Sequence, residues 1–220
     1  MRNWSKDQMI LALIRHGETK ANAQRRYLGK TDEPLSERGI RVLQSYKEQG
    51  MYPQADYLFA SPMKRCVETA GILYPMAKPV LIPEWEEIDF GQFEYRNYEE
   101  LKNEASYQRW LDSNGALDFP GGESRQAFIA RCRIGFQRMY RVLRQAQRES
   151  LPDTEKEPVR VSVIAHGGTI MALLSSCGKG SCQKGYFDYQ AANGRGYLCR
   201  AEVCNPNAET EIWIKEAVEL

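Results

Sequence analysis

The sequence predicts an α/β protein: a three-layer sandwich with a mostly parallel sheet, helices on both faces and an antiparallel C-terminal hairpin at the edge. Three observations carry that expectation. Apolar runs of strand length alternate with stretches of helical periodicity. The first run, Met9-Ile-Leu-Ala-Leu-Ile14, is apolar throughout, as a strand buried on both faces should be. Two late strand patterns, about 196–203 and 211–215, flank an Asn205-Pro206-Asn207 turn.

Each element has a local reason. After the strand at 9–14, Ser36 reads as the N-cap of a helix reaching about Gln49, with Ile40, Leu43 and Tyr46 at helical spacing and Gly50 ending it. Residues 55–60 (Ala-Asp-Tyr-Leu-Phe-Ala) form a second strand. Ser61-Pro62 is expected to cap and start the next helix, which runs to about Tyr74. Val80-Leu-Ile82, between Pro79 and Pro83, is a short third strand. The acidic stretch after it reads as loop, followed by one helix from about Tyr98 to Leu111. The longest helix is expected from Glu123 to about Arg148, where Phe128, Cys132, Phe136, Met139, Leu143 and Ala146 make one apolar stripe. Residues 151–158 read as a polar link. Val159–Ala165 is the strongest strand, and a helix from Gly168 to Ser176 follows it.

Composition bounds the function. With 30 Lys+Arg against 29 Asp+Glu and 42% hydrophobic residues, the chain can bury a core, so disorder as the main state is excluded. A net charge of +1 gives no global electrostatic case for nucleic acid. No apolar run is long enough to span a membrane, and Met9–Ile14 is too short for a signal-peptide core behind the polar Met1–Gln8. A single domain over residues 1–220 in the cytoplasm is expected, with no membrane or nucleic-acid partner. The six cysteines (Cys66, Cys132, Cys177, Cys182, Cys199, Cys204) lack two-residue gaps and nearby histidines, which disfavours zinc; they read as reduced thiols.

Only two histidines occur, and both follow strands: Ile14-Arg15-His16-Gly17-Glu18-Thr19 and Ile164-Ala165-His166-Gly167-Gly168-Thr169. The carboxyl ends of parallel strands share one edge, where ligands bind, so both histidines should face one crevice. The second strand delivers Arg65 to the same edge. Arg15, Arg65, Asn22 and backbone N–H groups at Gly17 and Gly168 then describe an anion site, since guanidinium groups suit phosphate. Two arginines beside the histidines disfavour a metal. No Gly-x-Ser-x-Gly elbow supports a serine triad. Two imidazoles in a phosphate cradle suggest phosphoryl transfer through a phosphohistidine, with the arginines and the second histidine stabilising the transferring group. The leaving alkoxide needs an acid. Residues 84–91 supply candidates; Glu84 and Glu86 read as solvated, and Glu87 and Asp89 both stay open.

These residues resemble a known family, the histidine phosphatases or phosphoglycerate mutase-like superfamily. The resemblance rests on Arg15-His16-Gly17-Glu18-Thr19 with Asn22, on Pro34-Leu35-Ser36-Glu37-Arg38-Gly39, and on Ser61-Pro62-Met63-Lys64-Arg65 with Thr69-Ala70. Glu87-Ile88-Asp89-Phe90-Gly91, Pro120-Gly121-Gly122-Glu123-Ser124 and Ala165-His166-Gly167-Gly168-Thr169 complete it, in family order. It implies that His16 is the phosphorylated nucleophile and that Glu87 is the proton donor. It also implies that Arg15, Asn22, Arg65, His166 and Gly167 bind the phosphate, that Glu18 is supporting, and that no metal or other cofactor is used.

The stretch from Phe90 to Ser124 is similar to alpha-ribazole phosphatases and related small bacterial phosphatases, and departs from their usual pattern at Phe93 and Tyr95, where Trp and Gly are common. The function implied is metal-independent hydrolysis of a small-molecule phosphomonoester. A cofactor-dependent phosphoglycerate mutase is the alternative. Glu94, Glu99, Glu100 and Glu104 outnumber Arg96 and Lys102 there, which disfavours a substrate with extra negative charge. A second alternative is a non-catalytic protein that binds phosphate or an acidic partner through Arg125, Arg131, Arg133, Arg138, Arg141, Arg144 and Arg148. Such a face is more simply a solvated one.

Overall fold

The computed structural model describes residues 8–149, 158–204 and 211–220. The polar start, the link at 151–157 and the Asn205-Pro206-Asn207 turn lie outside the described residues. Among the described residues, six strands form one sheet in the order β3-β2-β4-β1-β5-β6. They are β1 (Gln8–Arg15), β2 (Tyr57–Ala60), β3 (Val80–Leu81), β4 (Val159–Ala165), β5 (Gly196–Cys204) and β6 (Glu211–Glu219). The pairs β1–β4, β4–β2 and β2–β3 are parallel, whereas β5 runs antiparallel to both β1 and β6. The expected fold class therefore holds, with the β5–β6 pair at one edge.

The period of two along each strand divides the core. Leu11, Leu13, Val161 and Val163 face one side, packed with α6 (Arg125–Glu149) and α7 (Gly167–Cys177). Ala12, Ile14 and Ile164 face the other, under α2 (Glu37–Glu48) and α3 (Lys64–Leu73). On α6 Phe128, Cys132, Phe136, Met139 and Leu143 of the stripe are buried as their spacing predicts, and Ala146 at its end is half-buried. Two of its arginines are held in ion pairs, Arg131 with Glu123 and Arg138 with Glu84.

Three local readings need correction. The helix expected from Ser61-Pro62 starts at Lys64 instead. Ser61 Oγ lies 2.8 Å from His166 Nε2, so its side chain belongs to the site, while Asp32 Oδ1 from another loop accepts Lys64 N at 2.8 Å. The single helix expected over 98–111 is two, α4 (Tyr98–Leu101) and α5 (Ala105–Asp112). Leu101 and Tyr107 are both buried, yet six helical residues would turn them well apart; the break lets both face the aromatic cluster. A short helix that the periodicity did not predict, α1 (Lys20–Ala23), is fixed by a capping box between Thr19 and Asn22.

The segment after β3 is held over the sheet edge by rings. Tyr27, Phe90, Phe93, Tyr107, Trp110 and Phe119 make mutual edge-to-face, tilted or stacked contacts with centroids 5.0–6.3 Å apart. Tyr95 has φ +58°, a left-handed conformation that costs a non-glycine residue about 1–2 kcal/mol. Its ties explain how it is kept there: its hydroxyl donates to Glu33 Oε1 at 3.0 Å, and Arg26 Nη1 donates to its carbonyl. Among the described residues, no helix is long and apolar enough to cross a membrane.

Candidate active site

Register brings the two histidines together. Arg15 pairs with Ala165 across β1 and β4, and His16 N donates to Ala165 O at 2.9 Å. The next residue on each strand is therefore a histidine at the same edge. Both are buried, with ring centroids 5.2 Å apart and planes at 67°.

Hydrogen bonds fix the protons on the rings. His16 Nδ1 lies 2.7 Å from the Gly17 carbonyl, so it carries the hydrogen and leaves the lone pair on Nε2. Arg65 Nε donates to His166 Nδ1 at 3.2 Å, so His166 carries its hydrogen on Nε2 and donates it to Ser61 Oγ. Burial, then the neighbouring Arg65 and Arg15, hold the His16 pKa well below its ordinary value. His166 is depressed by burial and by Arg65, with His16 and Arg15 adding to it. Both imidazoles are neutral near pH 7.

The guanidinium groups stand beside them. Arg65 is fully buried, and its Nη atoms donate to Thr31 O and Gly29 O, each at 2.9 Å. Arg15 Nη1 donates to Ala191 O at 2.7 Å, but its buried Nε has no partner. A Cβ on Gly167 would sit 3.4 Å from that nitrogen, so the glycine opens the start of α7 onto Arg15. An unpaired guanidinium N–H beside a helix N-terminus is a place for an anion. Among the described residues, no group of three or more His, Cys, Asp or Glu converges as a metal site.

The two acid candidates separate in space. Glu87 is buried, with Oε1 accepting Ile88 N at 3.0 Å and Oε2 accepting Gly168 N at 3.2 Å. Burial pushes its pKa up; the two N–H groups and the arginines pull against that and only reduce it. Asp89 instead pairs with Lys30 at 2.6 Å and accepts Gly91 N, and its pKa is lowered, chiefly by the Lys30 hydrogen bond. A carboxyl with a raised pKa is better suited to hold a proton for donation than one locked to a lysine. Of the two, Glu87 is the one that stands against the start of α7.

Gly168 makes the Glu87 contact attainable, because a Cβ there would lie 2.2 Å from Glu87 Oε1. Gly168→Ala is expected to displace the carboxyl and to lower kcat by roughly 100-fold, on the scale of an ångström's misplacement of a catalytic group. Steady-state kinetics on an alkyl phosphate check this; wild-type turnover would mean that the contact is not needed.

Every expected site residue can be placed. Arg15, His16, Arg65, Glu87, His166 and Gly167 converge. Asn22, on α1, stands at the rim, its Oδ1 accepting Thr19 N at 3.3 Å and Asn193 Nδ2 at 3.1 Å. Glu18 faces away, bonded to Ser36 and Arg38, a supporting place. Sequence reasoning missed Ser61 as a site residue, and it missed Thr69, whose Oγ1 accepts Gly17 N at 3.0 Å and donates to Arg65 O at 2.7 Å. It also missed Asn193, whose Asn-Gly pair with Gly194 carries only a turn pattern. The free cysteines among the described residues are buried; Cys66, beside His166, has its thiol pKa pushed up to about 12 by burial.

Comparison with known proteins gives the setting. A family model described as the histidine phosphatase superfamily (branch 1) matches residues 11–195. The probable phosphoglycerate mutase GpmB of Enterobacter sp. (strain 638) is 33% identical over 170 residues, covering 74% of this chain and 72% of that protein. The adenosylcobalamin/alpha-ribazole phosphatase of Escherichia coli (strain K12) is 35% identical over 127 residues, 56% of this chain and 63% of that one. A phosphoglycerate mutase structure from Thermus thermophilus overlays with a TM-score of 0.60 at 28% identity, covering 96% of this chain and 99% of that one. The structure of the alpha-ribazole phosphatase from Shigella flexneri overlays at 0.67 with 24% identity, a likeness of fold that covers 94% of this chain and 96% of that one.

Proposed function

The chain belongs to the histidine phosphatase superfamily, branch 1, and from that premise we propose that it hydrolyses a small phosphomonoester without a metal, through a phosphohistidine on His16. The observation that carries the reading is the buried, unpartnered Arg15 Nε beside two neutral imidazoles. It is an anion site with a nucleophile in it.

The chemistry follows from the protons. His16 Nε2 attacks phosphorus in line, while the ester oxygen leaves and takes the Glu87 proton. Arg15, Arg65, His166 and the amide at Gly167 line the phosphate pocket and stabilise charge on the equatorial oxygens. Asn22 adds a hydrogen bond. Water then attacks the phosphohistidine, Glu87 takes its proton back, and inorganic phosphate departs.

A phosphatase fits better than a mutase. The relatives carry both names, but two of the three cations between Gly91 and Gly122 are already engaged: Arg96 by Glu104, and Lys102 by Glu99. Glu94 accepts Gly29 N and Thr31 N. That segment offers little to a second phosphate or a carboxylate. Alpha-ribazole phosphate, named for the E. coli relative, is the leading substrate candidate. The same reading takes residues 1–220 as one cytoplasmic domain, with a small-molecule phosphate as partner rather than nucleic acid or membrane.

The test is a panel of alpha-ribazole phosphate, sugar phosphates and phosphoglycerates, in a strong chelator, with released phosphate measured. Full activity is expected, and phosphate release should exceed any 3- to 2-phosphoglycerate exchange. Fast exchange that needs a bisphosphoglycerate primer would make the protein a mutase. Activity lost with chelator and restored by one metal would overturn the metal-free mechanism. Phosphate bound without turnover would favour the binding-protein alternative.

A further inference from the structure

We propose that Asn193 is a positioning residue for the nucleophile, its side-chain amide holding the Gly17 carbonyl and the Asn22 amide so that His16 Nε2 and Asn22 stay turned toward a phosphate. This rests on the phosphohistidine reading above. Asn193 Nδ2 lies 3.1 Å from His16 O, 3.4 Å from Gly17 O and 3.1 Å from Asn22 Oδ1. Its orientation is not arbitrary. Two of the three partners are backbone carbonyls. The third, Asn22 Oδ1, is identified as an oxygen because Thr19 N donates to it. A side-chain oxygen in that place would face three acceptors, so the amide nitrogen must point there.

The consequence reaches the nucleophile through one atom. Gly17 O accepts from His16 Nδ1 and from Asn193 Nδ2. Asn193 thus clamps the carbonyl that decides which His16 nitrogen keeps its lone pair. It also holds Asn22 Oδ1, which directs the Asn22 N–H groups elsewhere. The neighbouring backbone serves the same segment from the same side. Gly194, at φ +75°, donates its N–H to Arg15 O and His16 O at 3.1 Å each, and Ala191 O accepts from the Arg15 guanidinium. The 191–194 loop therefore forms the floor under Arg15-His16-Gly17, and Asn193 is the side chain that couples it to both His16 and Asn22.

Two variants read this out, with nitrophenyl phosphate as substrate so that proton donation to the leaving group does not limit the rate. Asn193→Ala removes the donor; kcat and the rate of His16 phosphorylation should fall by roughly 10–100-fold, with KM changed far less. Asn193→Asp keeps the shape but turns a carboxylate toward three oxygens. Its loss should be larger at mildly alkaline pH. On acidification it should regain at least about tenfold relative to wild type at each pH, because protonation restores an O–H donor. A role in packing alone would give no such pH signature. Asn193→Ser, which keeps one donor and should fall between, decides the matter if the other two do not fold. Phosphorylation within about twofold of wild type in the Ala variant, or in Ser if only that folds, overturns the role, as does an Asp-to-wild-type ratio independent of pH. A wild-type enzyme labelled away from His16 removes the phosphohistidine reading and this role together. Label on His16 that forms equally fast in the variants removes this role alone.

Discussion

His16→Ala is expected to abolish turnover, lowering kcat/KM by roughly three orders of magnitude or more on every substrate, the scale seen when a covalent nucleophile is removed. The reason is the lone pair on Nε2, which the Nδ1–H···O=C bond to Gly17 leaves free and the depressed pKa keeps unprotonated. No other group in the pocket is prepared in this way. His166 is neutral too, but its Nδ1 accepts from Arg65 and its Nε2 hydrogen points at Ser61. The protein should still fold, because His16 makes one side-chain hydrogen bond, to the adjacent residue. Rapid-quench labelling with a radioactive ester, followed by peptide mapping, is the measurement. Label on His166, or undiminished turnover by the variant, would refute the assignment.

Glu87→Gln is expected to divide substrates by leaving group. An alkoxide is a poor leaving group without a proton, and a positioned acid contributes about 100- to 10,000-fold. A nitrophenolate departs unaided. Alkyl phosphate hydrolysis should therefore fall by roughly 100-fold or more, and nitrophenyl phosphate hydrolysis only a few-fold. The ratio is the robust quantity. Both Glu87 oxygens accept backbone N–H groups, so a glutamine must turn its own NH2 toward one of them, and some general loss affects both substrates alike. Equal losses would remove Glu87 as the acid.

The same assignment sets the pH profile. Glu87 has a raised pKa, so its proton survives to higher pH than on an exposed glutamate; alkyl ester hydrolysis falls as pH rises through that value. His16 has a depressed pKa, so its lone pair survives to lower pH; activity falls at the acid end as pH drops through that value. The optimum should lie on the acidic side of neutral. In Glu87→Gln the alkaline limb should flatten while the acid limb remains.

Much of the arrangement was written in local sequence. Met9–Ile14 and Val159–Ala165 declared themselves as strands because burial on both faces needs apolar side chains in sequence order. Ser36 announced α2 because its Oγ caps Gly39 N three residues on. His16 and His166 could be assigned to one crevice because parallel strands share their carboxyl edge. The motifs around His16 and His166 lie at the ends of those same strands.

What stayed hidden depends on partners distant in the chain. Ser61-Pro62 reads as a helix start, since nothing nearby says that His166, 105 residues away, takes the hydroxyl. Residues 98–111 read as one helix, since periodicity cannot see the aromatic cluster that draws Leu101 and Tyr107 to the same side. Glu87 and Asp89 look alike in sequence. They became a buried carboxyl with a raised pKa and a lysine-bound carboxylate only when one was buried and the other met Lys30. Asn193 is one more turn residue until β5 pairs with β1 and carries its loop under Gly17, 176 residues earlier. Sequence by itself thus determined the strands, their shared edge and the residue types gathered there, which rest on apolar period and on motif. Tertiary structure alone decided protonation, pairing and support, because a proton's place depends on burial and on donors and acceptors that only folding brings within 3 Å or so.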